Sequence, residues 1–355
     1  MNNNHLHHVR IENFKSIKQV NFDCKRVNIF IGKPNVGKSN ILEALGMLSN
    51  HSYLTNIVRY KKSYELFYDN DTSNNIKIYT DKLALLVTKH YKNSSFYHIV
   101  SNDEHTLDVN FEADRISAIN SIIEQTKDLE DTNIPKFSIQ QIDGFVNFIS
   151  NSVTLANSNI RKYHYKSLDK YNQGGSDFLS APFGDNIWNI LNTNRKLREQ
   201  VSELFVEYGL QFVMDLTEEK FGLQKQIDNF VYKYDYSLIA DTLQRIIFHY
   251  AAIASNTNAV LLFEEPESHS YPGYIRDLGI EITYSETNQF FIATHSPYLL
   301  GTLMENLSYK DCAIFVCSYE NYQTHVKELS EEEVREAIDY GQDLFMNIDS
   351  FVEHG

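Results

Sequence analysis

The segment Gly32-Lys33-Pro34-Asn35-Val36-Gly37-Lys38-Ser39 fits the spacing GxxxxGK[ST] in full, and that spacing has a physical reading. Backbone N–H groups of such a loop and of the helix behind it point at phosphate oxygens. Lys38 would supply a positive charge near the β and γ oxygens, and Ser39 would ligate magnesium. Pro34, Asn35, Val36 and Asn40 complete the loop and its exit, so the expected cofactor-binding set is Gly32, Pro34, Asn35, Val36, Gly37, Lys38, Ser39 and Asn40. An ordinary glycine turn would not need Lys38 and Ser39 together.

A second constellation is Val260-Leu261-Leu262-Phe263-Glu264-Glu265-Pro266-Glu267, in which two adjacent carboxylates end an apolar run. Burying them without a cation would be costly, and a magnesium–nucleotide supplies one. Glu264 would orient magnesium, and Glu265 would face the attacking water as general base. A third is Phe290-Phe291-Ile292-Ala293-Thr294-His295-Ser296-Pro297, another apolar run ending in a polar cluster. His295, just past such a strand, lies at the edge where α/β sheets bind ligands, and a contact with the γ-phosphate is expected.

These residues need an α/β frame. Val27-Asn28-Ile29-Phe30-Ile31 reads as a buried strand feeding the glycine loop, and Ile41, Leu42, Leu45 and Leu48 give the helix after it a core face. Val9-Arg10-Ile11 and Val20-Asn21-Phe22 read as short strands ahead of it. Alternating stretches at 76–79, 83–87, 96–100 and 107–111, separated by Asn, Asp and Ser turns, predict an antiparallel meander. Helical spacing follows in Ile187, Ile190, Leu191, Leu197, Val201, Leu204 and Phe205, and again in Leu243, Ile246, Ile247, Tyr250 and Ile253. A hairpin is expected from 313–318 against 323–329 through Asn321. Ser330 and Glu333 form a capping box for a last helix ending near Gly341.

Composition narrows the class. The 355 residues carry 32 Lys and Arg against 47 Asp and Glu, a formal net charge of −15, which excludes a generally basic surface coating nucleic acid. No apolar run reaches the roughly 18 residues a membrane span needs, and the start lacks the charged and apolar regions of a secretion signal. A cytoplasmic protein with no membrane partner is the expectation. Cys24, Cys312 and Cys317 are too few for a disulfide framework and lack zinc spacing. Two lesser features remain. Arg161-Lys162-Tyr163-His164-Tyr165-Lys166 interleaves basic residues with tyrosines and could clamp a nucleic-acid backbone, its plainer reading being a solvated face. His5, His7 and His8 could cluster on a metal but read as incidental at a chain end.

Taken together, the three constellations resemble the Walker A motif, the Walker B motif with its catalytic glutamate, and the switch-histidine loop of ABC-type ATPases. The chain is similar to the RecF/SMC-like soluble group, and within it to the OLD-like AAA family ATPases, through Ile11 to Ile17 (IENFKSI), Glu264 to His269 (EEPE-x-H), Thr294 to Leu300 (THSPYLL) and Asp343-Leu344-Phe345. Pro182-Phe183-Gly184-Asp185-Asn186 matches more loosely. The resemblance implies ATP with Mg2+ as cofactors, and a homodimer or higher even oligomer in which a signature segment contacts the partner's γ-phosphate. That segment is here Tyr236-Ser237-Leu238-Ile239-Ala240-Asp241; it has lost its glycine, and Ser237 keeps the hydroxyl. No Q-loop glutamine is diagnostic, although Gln140 and Gln141 are available. The aspartate usual in Walker B is Glu264. The Toprim nuclease domain of longer OLD relatives is not expected after Phe345, and no NKxD segment for guanine is present.

The expectation is thus an α/β P-loop NTPase: an ABC-type ATPase head with an antiparallel β subdomain and a helical insertion. The core would be 1–50 and 230–355, with 51–229 as the insertion. It would act as an ATP-hydrolysing, nucleotide-switched dimer. In this reading Ser39 and Glu264 hold the metal, Glu265 and His295 are catalytic, and Ser237 completes the partner's site. A separate effector, a nuclease or toxin, would act in antiphage defence or DNA repair. The alternative is a low-turnover scaffold that binds ATP structurally.

Overall fold

The computed structural model describes residues 4–49, 54–90, 93–100, 136–142, 145–150, 158–168, 170–172, 174–218, 220–339 and 344–352. The strands are β1 (His8–Phe14), β2 (Ile17–Asp23), β3 (Val27–Ile31), β4 (Ile76–Thr80), β5 (Leu83–His90), β6 (Asn93–Val100), β7 (Lys136–Ile142), β8 (Phe145–Ser150) and β9 (Ile160–Tyr163). They continue with β10 (Gln211–Asp215), β11 (Lys220–Ile227), β12 (Phe230–Asp235), β13 (Val260–Glu264), β14 (Gln289–Ala293), β15 (Cys312–Glu320) and β16 (Gln323–Glu328). The principal helices are α1 (Lys38–Gly46), α2 (Ile187–Thr193), α3 (Arg195–Glu203), α4 (Asp241–Ser255), α5 (Pro272–Tyr284), α6 (Pro297–Asn306) and α7 (Glu331–Asp339).

A six-stranded sheet in the order β16-β15-β3-β14-β13-β9 carries the motifs, with all neighbours parallel except the β15–β16 hairpin. Its central strands are apolar over most of their length because both faces are covered. Along β3, Val27, Ile29 and Ile31 pack with α4 and α5 on one side, while Phe30 turns to the core that includes α1 and the β1–β2 hairpin. Phe30 stacks on Phe315 with ring centroids 5.0 Å apart. Asn28, the polar exception in β3, is fully buried and satisfied by donating to the Lys25 and Phe290 carbonyls.

Three strands of the expected meander are found, β4, β5 and β6, within a seven-stranded antiparallel sheet of order β2-β1-β4-β5-β6-β7-β8, whose β7 and β8 were not expected. The N-terminal hairpin belongs to it, since β1 pairs β4 with Val9 opposite Thr80. A strand expected at 107–111 lies outside the described residues. Near the C-terminus the expected hairpin turns through Asn321 and Tyr322, both at positive φ. The Ser330 and Glu333 capping box forms reciprocally, and the expected stop at Gly341 lies outside the described residues.

One strand revises the expected organisation. Ile160–Tyr163, within the span read as insertion, is the edge strand β9 and pairs in parallel with β13, Phe263 opposite Tyr163. The basic–tyrosine run is therefore neither a clamp nor a solvated face at its start. Arg161 is turned inward to Asn256 at 2.6 Å and over the Phe178 ring, and Lys162 is buried toward β13. The N-terminal histidines do not converge either. His7 contacts Asp81, His8 contacts Asp23, and His5 contacts the Thr287 carbonyl.

Candidate active site

Because β3, β14, β13 and β9 run parallel, their C-terminal ends open at one edge of the sheet, where ligands of such folds bind. The register aligns them: Glu264 lies opposite Ala293, and Ala293 opposite Phe30. A cavity of about 620 Å³ opens there, within the range of small-molecule sites. Around it stand residues 34–40 of the loop, Glu264, Glu265 and His295, together with Glu43, Arg59, Lys162 and His249.

The loop's shape follows from its glycines. Gly37 has φ of +100° and caps α1 with no side chain satisfying the first-turn N–H groups. A Cβ there would fall 2.1 Å from Thr324 Oγ1. Thr324 is held in turn by Ser16 Oγ at 2.7 Å, and Ser16 Oγ accepts from the Asn40 amide at 2.7 Å. Gly32, which joins β3 to the loop, lies so close to β15 that a Cβ would meet the Cys317 carbonyl at 2.5 Å. Lys38 folds back over the loop and donates to the Gly32 and Lys33 carbonyls at 2.8 and 2.9 Å. Burial lowers its pKa against the pull of nearby carboxylates, Glu265 and Glu264 among them.

The metal-binding expectation can be tested on the donor set. Ser39 donates its hydroxyl to Glu264, so the two groups converge. Glu264 Oε2 meets Lys162 at 3.1 Å, and Oε1 meets Arg59 at 3.2 Å. Burial pushes the Glu264 pKa up, but Lys162, the Ser39 hydroxyl and Arg59 outweigh it, and the net shift is downward. An ionised carboxylate beside a serine hydroxyl fits a hard divalent cation completed by phosphate oxygens and water. Among the described residues no group of three or more His, Cys, Asp or Glu side chains could hold a metal without such help.

Glu265 follows at positive φ (44°), its N–H bonded to the Ala293 carbonyl at 2.8 Å, so the acidic turn is tied to the neighbouring strand. Its carboxylate is half exposed, faces the opening and lies 3.6 Å from His295 Nε2. Burial lowers the His295 pKa, helped by Lys38 and opposed by Glu265, which favours the neutral ring. The structure thus gathers Pro34 to Asn40, Glu264, Glu265 and His295 around the cavity, with Gly32 behind the loop and Ser237 apart. That residue sits outside the cavity in the turn Tyr236–Leu238, where its N–H and hydroxyl both contact Asp235 Oδ1.

Several residues at the site were not anticipated. Glu43 on α1 is fully buried, ion-paired with Lys15 and with Arg59. Arg59 has no motif around it, and Lys162 lay in the run read as a nucleic-acid clamp. Glu267 accepts from Thr294 Oγ1 and the His295 N–H, at 2.6 and 2.8 Å. It is the last acid of the EEPE segment, the one signal in the sequence that could have pointed to it. His249 on α4 donates through Nδ1 to the Arg245 carbonyl at 2.8 Å, and burial lowers its pKa to about 4. Gln140 and Gln141 lie on β7, in the other sheet.

A family model described as "AAA domain, putative AbiEii toxin, Type IV TA system" matches residues 27–301, most of the chain and all three strand-end motifs. The chain belongs to this AAA-domain family. Among solved structures it is similar to an SMC head bound to the C-winged helix domain of ScpA, with 16% identity, 94% of this chain and 99% of that chain covered, and a TM-score of 0.47. It is also similar to the SMC head domain from Thermotoga maritima, with 11% identity, coverage of 92% and 99%, and a TM-score of 0.43. The Smc head with an extended coiled coil from Pyrococcus furiosus, bound to the C-terminal domain of ScpA, gives 14% identity, coverage of 96% and 100%, and a TM-score of 0.46. No curated protein matches the chain. The AAA domain here combines a six-stranded, mainly parallel sheet with a seven-stranded antiparallel one. Among the described residues no helix is long and apolar enough to cross a membrane.

Proposed function

We propose that this AAA-domain protein binds ATP with Mg2+ and hydrolyses the β–γ bond, and that nucleotide occupancy switches a dimer between closed and open states. The observation that carries the reading is the convergence of the Lys38 loop, Glu264 with Ser39, and the Glu265–His295 pair on one cavity. Magnesium, when bound, screens the phosphate charges and polarises the γ-phosphoryl group. Lys38 leaves its two loop carbonyls for phosphate oxygens, and the open N–H groups of α1 take the remaining charge. Glu265, exposed at the mouth, accepts a proton from the attacking water. His295 donates one N–H toward the γ-phosphate and is aimed by the Glu267 contact to its backbone.

In the dimer, Ser237 would release Asp235 and donate to the partner's nucleotide. Its present commitment to Asp235 favours a second reading, a slow scaffold that binds ATP without efficient turnover. A separate effector and an antiphage role are the further part of this proposal; the family description itself names a putative toxin and a TA system. DNA is left out of the proposal because Arg161 and Lys162, the residues that suggested it, are engaged inside the fold. Phosphate release from ATP by the wild-type chain, lost in Glu265→Gln, is the test. Turnover indistinguishable between the two would remove Glu265 as base.

A further inference from the structure

Lys162 is placed at the site by β9, yet neither the phosphate loop nor the acidic pair accounts for it. Its side chain is only 5% exposed, and its ammonium is shared by the Ile57 carbonyl at 3.0 Å and Glu264 Oε2 at 3.1 Å. Glu264 and Ser39 form the pair that would hold the metal. In the structure the positive charge beside them comes from Lys162 and Arg59. When Ser39 and Glu264 turn to a divalent cation, like charges crowd and both side chains lose their partner. Arg59 has other recourse, being 69% exposed and also paired with Glu43 at 2.6 Å. Lys162 is buried and keeps only the neutral Ile57 carbonyl, and a buried ammonium without a counter-charge is strongly disfavoured. The anion that arrives with the metal is the triphosphate.

We infer that Lys162 is a second phosphate-binding lysine, which exchanges Glu264 for the terminal phosphates of the nucleotide and competes with magnesium for Glu264. The inference rests on the nucleotide reading above. Its consequence has two signs. Without metal, Lys162 supports ATP binding; with ATP in place, its charge on the terminal phosphates, next to Glu264, opposes entry of magnesium there. A lysine that merely packed the edge strand would shift both quantities in one direction.

The test is calorimetric titration of ATP into the full chain in EDTA, followed by magnesium titration of the ATP-loaded protein, for wild type, Lys162→Met and Glu264→Gln. In Lys162→Met the metal-free ATP affinity should fall roughly tenfold to a hundredfold, the worth of one hydrogen bond to a charged group. The magnesium concentration for half-saturation should fall at the same time. Glu264→Gln, which frees Lys162 from its carboxylate, should bind metal-free ATP more tightly than wild type. Unchanged metal-free affinity in Lys162→Met, or equal weakening of both quantities, would overturn the inference while leaving the nucleotide site intact. Should Lys162→Met fail to fold, Glu264→Gln decides: metal-free affinity at or below wild type overturns it. A wild type that binds no ATP even with magnesium overturns the nucleotide reading as well.

Discussion

Glu267 and His295 are joined across adjacent strands: one carboxylate oxygen accepts both the His295 N–H, at 2.8 Å, and the Thr294 hydroxyl, at 2.6 Å. The acidic turn after β13 therefore fixes the histidine loop after β14. The other oxygen, Oε2, is buried and has no hydrogen-bond partner among the described residues, and burial raises the Glu267 pKa. Removing the side chain in Glu267→Ala should cost about 2–3 kcal/mol of stability, for two lost bonds to a charged group and a loosened loop. Glu267→Gln keeps an accepting oxygen and should stay within about 1 kcal/mol of wild type. A raised carboxyl pKa means that the ionised form is held at a cost at neutral pH, and that the cost fades as pH falls through the carboxylate range. Any stability advantage of the Glu267→Gln variant over wild type should thus shrink on acidification in chemical denaturation. An alanine variant as stable as wild type would contradict the link.

Gly37→Ala should abolish tight nucleotide binding for a reason unrelated to charge. Its Cβ would overlap Thr324 Oγ1 at 2.1 Å and crowd Ser16 Oγ at 2.9 Å, at a φ that L-residues avoid. Thr324→Ala in the same chain relieves the overlap but leaves the dihedral strain of about 1–3 kcal/mol. Calorimetric ATP affinity should therefore recover only in part; full recovery would show that the overlap alone mattered.

Lys38→Ala should weaken MgATP binding by about two orders of magnitude, the loss of charge-assisted hydrogen bonds to phosphate. Its present partners are the carbonyl of buried Gly32 and the carbonyl of exposed Lys33. The nucleotide-free variant leaves the buried carbonyl unpaired and should lose about 1–3 kcal/mol in thermal unfolding. Equal MgATP affinity in the two proteins would remove Lys38 from the site.

The buried His249 predicts an acid limit. Its folded pKa of about 4 lies below the ordinary value of 6.5, so the unfolded chain takes up a proton that the folded chain refuses. Stability should fall as the pH drops from about 6.5 to about 4, by on the order of 3 kcal/mol, and this contribution should level off below. His249→Gln should flatten that part of the urea-unfolding profile. A parallel slope in both proteins would assign the acid loss to other groups.

What could be read beforehand divides along the range of the interactions. The phosphate loop, the acidic strand end and the histidine strand end were legible because each is local: an apolar strand, a turn and a few polar residues in sequence. The β1–β2 hairpin, the meander, the capping box at Ser330 and the helices at 187–203 were legible through period and turn chemistry. Lys162 was not, because β9 is only four residues long and half polar. Its alternation sends Arg161 to Asn256 and Lys162 to Glu264, partners far away in the chain. Arg59 and Glu43 were missed for the same reason, since an ion pair between a helix and a loop leaves no periodic trace. Ser237 shows the converse: a hydroxyl in the right segment whose local bond to Asp235 only the coordinates reveal.

The most direct test is the molecular mass of Glu265→Gln by light scattering, with and without MgATP, beside its phosphate release. The general base contributes about 10²–10⁴ in rate, so the variant should bind MgATP, release almost no phosphate, and double its mass as the closed dimer accumulates. Tight MgATP binding at unchanged mass, with phosphate release equal to wild type, would contradict both the base and the switched dimer.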